Sequence, residues 1–137
     1  MHCRRECGTC YDSPMGRRVA LPLSVRSALA KFFGDGIARV VVIENSFFAR
    51  LHWGAHATTR RRRIYLRGGA KAFFNDPALM MHEYFHVMKQ WEPRRLTSAR
   101  YVLEWLRRGY WRNRFEVEAR QFTAANLYRF RLLLAQQ

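Results

Sequence analysis

Apolar and polar residues alternate along this chain with two different periods, and the switches between them mark the elements. Val25 to Phe33 carries apolar residues at helical spacing, with Ser24 as a cap and Gly34 as a stop. Arg39 to Glu44 is a β-branched run that reads as a buried strand. Ser46 to His56 fits neither period. Arg63-Ile64-Tyr65-Leu66-Arg67 alternates and ends at Gly68-Gly69, which predicts a second strand. Asp76-Pro77 is an N-cap followed by proline at the first helical position, and the helix it opens runs to about Trp91 before Pro93 closes it. Thr97 caps a helix over Ser98 to Arg108, ended by Gly109, with Tyr101, Val102, Trp105 and Leu106 on an apolar stripe. Asn113 opens a last helix to about Leu134. The order is helix, two strands, three helices, which predicts an α+β fold with a small sheet. Ser13-Pro14 and Gly16 break any pattern over residues 1–20, so the domain is expected over 21–137.

The 137 residues fit one domain. A chain of this size buries about 68–70% of its unfolded surface, enough for a core without disulfides. Its composition, 49% hydrophobic and 15% aromatic, argues against disorder. The longest aliphatic run, Val40 to Ile43, is far short of the roughly 20 residues of a membrane span. The first residues lack the apolar core of a secretion signal, so a cytoplasmic protein is expected. Charge adds a second theme. Lys plus Arg is 25 against 10 for Asp plus Glu, a net +15, and apart from Lys31, Lys71 and Lys89 every one of these cations is arginine. This balance suits an anionic partner, nucleic acid among them, or simply a solvated basic surface. The three cysteines, Cys3, Cys7 and Cys10, crowd the N-terminus; an odd count with none in the body predicts no disulfide framework and reduced, non-ligating thiols.

The third helix carries the chemistry. His82-Glu83-Tyr84-Phe85-His86 is H-E-x-x-H. Histidines at i and i+4 share one helix face, where two imidazole nitrogens can meet one Zn2+ at about 2.0–2.1 Å. Glu83, beside the first ligand, is placed to take a proton from water activated by the metal. A catalytic zinc needs a third protein ligand and an open position. Glu116 on the last helix is the first candidate, since one intervening helix can return the chain over the metal; Glu118 is the second. Asn113 and Glu116 also stand at N-cap and N3, where a capping box would use them differently.

His82-Glu83-x-x-His86 followed by a helical Glu resembles the gluzincin metallopeptidases, and Glu116-x-x-Ala119-x-x-Phe122 resembles the third-ligand helix of ImmA/IrrE-like proteases. Ala57-Thr58, Ile64-Tyr65-Leu66, Asp76 and His82 to Val87 together resemble the small metallopeptidase-like domain of unknown function associated with extracellular contractile injection systems. The resemblance covers about residues 38–125. It implies a minimal zincin-like fold, a small sheet packed on an active-site helix, with Zn2+ on His82, His86 and Glu116 and Glu83 as base and then acid. It also implies a protein or peptide substrate laid along the strand Ile64, Tyr65 and Leu66 by β-augmentation, and leaves export by an injection system open. Many gluzincins place Asp four residues after the ligand Glu to orient a histidine, whereas this chain has Arg120. Tyr101, Tyr110 and His56 are the candidates for stabilising an oxyanion. His52 and His56 repeat the i, i+4 spacing, but Trp53-Gly54 between them disfavours a helical second site. The chain is therefore expected to be a zinc metallopeptidase. The alternatives are a metal-stabilised basic module that binds an anionic partner, or an accessory of a secretion-type assembly.

Overall fold

The computed structural model describes residues 16–51 and 55–136. Its architecture is α+β, as expected, with more strands than the alternation showed. In chain order the elements are β1 (Arg17–Val19), α1 (Leu23–Phe33), a 3-10 turn (Asp35–Arg39), β2 (Val41–Glu44) and α2 (Phe47–Arg50), followed by β3 (Ala57–Arg60), β4 (Arg63–Leu66) and α3 (Ala70–Phe74). Then come α4 (Pro77–Phe85), a π-helical turn (His86–Trp91), α5 (Ser98–Arg112) and α6 (Arg114–Ala135).

The four strands lie in the order β1-β2-β4-β3. β2 and β4 are parallel, and the outer pairs are antiparallel. β1 falls inside the stretch expected to be loosely ordered; three residues carry too little pattern to reveal a strand that exists by pairing with β2. β3 and β4 form a hairpin closed at Arg61-Arg62, where Arg62 takes a left-handed φ of 61°.

This order corrects the expectation for Ile64, Tyr65 and Leu66. β4 is an inner strand, hydrogen-bonded to β2 on one side and β3 on the other, so it has no free edge for a peptide. Ile64 and Leu66 belong to the core, and Tyr65 packs on Phe48 at 4.9 Å between ring centroids. Among the described residues the outer edges of the sheet belong to β1 and β3.

One core joins sheet and helices. Val42, Ile64 and Leu66 from the sheet meet Leu29 and Phe33 of α1, Met80, Met81 and Tyr84 of α4, and Ala119 and Phe130 of α6. α4 and α6 are the most extensively packed pair of helices, with Phe122 set between Phe85 and Phe33 at centroid distances of 4.8 and 5.5 Å. Glu44, at the end of β2, is buried and fully used: it accepts from the backbone N–H of Ala70 at 2.7 Å and pairs with Arg17. That clip fixes α3, and through it the start of α4, against the sheet. The caps expected at Asp76 and Thr97 form, whereas Ser24 lies inside α1, which begins at Leu23 after Pro22 and has no side-chain cap. Asp76 accepts from Leu79 N–H at 3.0 Å ahead of Pro77, and Thr97 from Arg100 N–H at 3.2 Å. Gly109, at φ 72°, interrupts α5 where a stop was expected, and the chain resumes helical geometry for three more residues.

Candidate metal centre

The last turns of α4 and the first turn of α6 cross in the core, and three side chains converge there. His82 Nε2 lies 3.0 Å from Glu116 Oε2 and 3.0 Å from His86 Nε2, and His86 Nε2 lies 3.4 Å from the same carboxylate oxygen. All three could hold one metal ion. Donors bound tetrahedrally to zinc at about 2.0–2.1 Å are ~3.3 Å apart, so this spacing fits the metal. Two imidazoles and one carboxylate are also a donor set zinc takes, and they leave a fourth position open.

The charge balance of the cluster agrees with a cation at its centre. Burial alone would push the Glu116 carboxyl up, but the bonds to His82 and His86 outweigh it and hold Glu116 far below the usual carboxylate range. Burial alone would lower His86, yet Glu116, then Glu83 and Gln90, reverse the sign and raise it. Positive charge is thus favoured among these atoms, whether supplied by protons or by a metal. Glu83 is buried beside them; desolvation is the largest influence on it and raises its pKa against the opposing pull of the two histidines.

A residue that the motif reading missed completes the centre. Gln90 is fully buried, and its amide nitrogen donates to two groups that can only accept, the Phe115 carbonyl at 2.9 Å and a Glu118 oxygen at 3.2 Å. Its carbonyl oxygen must then point the other way, to His86 Nδ1 at 2.7 Å. That oxygen accepts the Nδ1 proton, so the lone pair of neutral His86 sits on Nε2, facing Glu116 and His82. The signal was present: Gln90 stands at i+4 from His86, on the same face. The π-helical turn that carries both residues is closed by a bond from Glu92 N–H to Val87 C=O, five residues apart, of a kind concentrated at functional sites.

The remaining candidates separate cleanly. Glu118 faces away from the histidines and is held by Arg95 at 3.0 Å and by Gln90. Asn113 caps α6 by accepting from Phe115 N–H, so no reciprocal capping box ties up Glu116. Tyr101 donates its hydroxyl to Glu116 Oε1 at 2.9 Å, which leaves Oε2 for the histidines. Tyr110 is half exposed and pushed up to about 12 by burial and by the fields of Glu116 and Glu83, so it is a protonated donor at neutral pH. Arg120, standing where many gluzincins have Asp, instead binds the Trp111 carbonyl and lies 4.4 Å from the Trp111 ring. The orienting role on His86 is filled by Gln90. His56 is exposed and outside the cluster. His52, Cys3, Cys7 and Cys10 lie outside the described residues.

The basic run Arg60 to Arg63 sits at the β3–β4 hairpin, away from these ligands. Arg62 pairs with Glu92 at 2.9 Å, and Arg61 lies 3.8 Å from the same carboxylate. Arg60 donates to Ser98 and covers the Phe48 ring. Much of this charge is therefore engaged within the molecule.

Fold and site together define the class: an α+β domain with an H-E-x-x-H helix and, from a later helix, one carboxylate that could join the two histidines on a metal. A family model described as the eCIS core domain matches residues 20–94, more than half of the chain. The protein belongs to the eCIS core domain family, which ties it to extracellular contractile injection systems. The matched segment contains His82, Glu83, His86 and Gln90 and ends before α5 and α6, which supply Tyr101 and Glu116. No curated protein and no solved structure matches the chain. Among the described residues no helix is long and apolar enough to cross a membrane.

Proposed function

We propose that this domain is a zinc-dependent peptide hydrolase of gluzincin type. The observation that supports the reading best is the convergence of His82, His86 and Glu116 at 3.0–3.4 Å with Glu83 buried against them. Zn2+ held by those three residues would polarise a peptide carbonyl and lower the pKa of water at the open position. Glu83 takes the proton of the attacking water and passes it to the leaving amine; its raised pKa suits a group that must do both. Gln90 keeps His86 in the tautomer that presents Nε2, and Tyr101 keeps Glu116 Oε2 turned inward. An extended peptide would pair with the outer edge of β3, whose Thr59 accepts a hydrogen bond from Trp91 at the end of the metal helix.

The test is hydrolysis of an unstructured protein by the full chain, wild type beside Glu83→Gln. The variant keeps the size of the side chain and all three ligands. It should hold zinc as the wild type does and lose activity by about 10²–10⁴-fold. A wild type that carries zinc and cleaves no unstructured protein would remove the hydrolase reading and leave a metal-stabilised domain.

A further inference from the structure

α5 is built the wrong way round for a helix packed on a core. Its inward stripe carries Tyr101, bonded to Glu116, and Glu104, whose carboxylate is buried. Its apolar side chains point to solvent: Val102, Leu103, Trp105 and Leu106 are each about half exposed or more, and Tyr110 and Trp111 continue the surface past Gly109. Leu106 is 69% and Trp111 71% exposed, whereas Glu104 is 8%. One scattered exposed leucine needs no explanation, but six large apolar residues on one short segment form a patch of the kind that marks a contact surface.

The charges around the patch indicate its partner. Arg107, Arg108 and Arg112 are exposed along the same helix, and Arg107 and Arg112 have no ion-pair partner among the described residues. The helix offers no exposed carboxylate, because Glu104 is its only acidic residue and is buried. Trp, Tyr and Leu on one face with arginines flanking them is the pattern of a helix that lies in the headgroup layer of an anionic bilayer. The arginines meet the lipid phosphates, and the indole rings sit at the boundary where one end is wet and the other apolar.

We propose that the outward face of α5 is a membrane-docking surface for anionic bilayers, and that it seats the domain with the metal centre just behind the lipid contact. Tyr101, bonded to Glu116, and the buried Glu104 lie on the other side of the same helix, so docking needs no unfolding of the site.

The experiment is co-sedimentation of the full chain with vesicles of phosphatidylcholine alone and of phosphatidylcholine mixed with phosphatidylglycerol. The wild type should sediment with the mixed vesicles and stay in solution with the zwitterionic ones. Val102→Ser/Leu106→Ser preserves every charge and should weaken partitioning at least tenfold, with the melting temperature unchanged. Arg107→Gln/Arg112→Gln should weaken it by about five-fold for each arginine removed. If the apolar variant binds as the wild type does, the contact is general attraction of a +15 chain to negative charge and the assignment of the face is wrong. Failure to bind mixed vesicles at all would also overturn it. So would sedimentation velocity showing a wild-type dimer that Leu106→Ser converts to monomer, since the face would then belong to a second copy.

Discussion

Helices α4 and α5 both reach Glu116, and they are constructed by opposite rules. α4 and its π-helical continuation bury Glu83, His86 and Gln90 together with Met80, Met81 and Tyr84. The polar groups are tolerated there because ligand atoms face one another and Gln90 uses both ends of its amide. α5 turns Tyr101 inward and buries its one carboxylate, and it leaves Val102, Leu103, Trp105, Leu106 and Trp111 largely in solvent. Both segments show apolar residues at helical spacing. The spacing identifies a face, but it does not say what the face meets. In α4 the apolar face meets the core, and in α5 it faces solvent.

The comparison breaks most completely at the ligands. His82→Ala or His86→Ala should abolish stoichiometric zinc binding, because two remaining donors cannot hold the ion; metal analysis of the purified variants decides it. The next contrast is one of stability. Met81→Ala on α4 removes a fully buried side chain and should cost about 2–5 kcal/mol in denaturant unfolding, whereas Leu106→Ala on α5 should stay within roughly 0.5 kcal/mol of wild type. Equal losses would mean that α5 packs inward after all.

A smaller effect sharpens the account of how α4 holds its polar groups. Gln90→Leu keeps the three ligands but frees the His86 ring, and zinc affinity measured by chelator competition should fall about 10–100-fold. The sheet contains a lesser case of the same inward rule. Glu44 is held below its ordinary value of 4.5, first by the Ala70 N–H, against opposing desolvation, and then by Arg17. A carboxyl depressed in the folded state stabilises the protein above its unfolded pKa and loses that contribution as pH falls through the folded value. Wild-type stability should therefore decline more steeply below about pH 4.5 than that of Glu44→Gln, as followed by thermal melts across the acid range.

Most of the metal centre was legible because its parts are local or nearly so. The i, i+4 histidines, the capped helix and Glu116 after one helical return each follow from spacing and simple connectivity. Gln90 was equally local but lies outside the five-residue motif, so only its position on the His86 face could reveal it. The sheet was harder to read. β1 and β3 are three and four residues long and owe their existence to pairing partners elsewhere in the chain. Without β3, the strand Arg63–Leu66 looks like an edge, and its buried Ile64 and Leu66 look available to a peptide. The helix bounds moved little: α1 begins at Leu23, ahead of the expected Ser24 cap, and Gly109 breaks the helical geometry of α5 at the expected stop, after which three residues turn again.

The proposed metal sits on nitrogen and oxygen donors where α4 meets α6. X-ray absorption at the zinc edge of the purified full chain tests this placement most directly. The structure predicts one zinc per chain with a light-atom shell at about 2.0–2.1 Å, outer-shell imidazole scattering from two histidines, and no sulfur. A shell at about 2.3 Å would place the metal on cysteine thiolates instead, and His82, His86 and Glu116 would not be the metal centre.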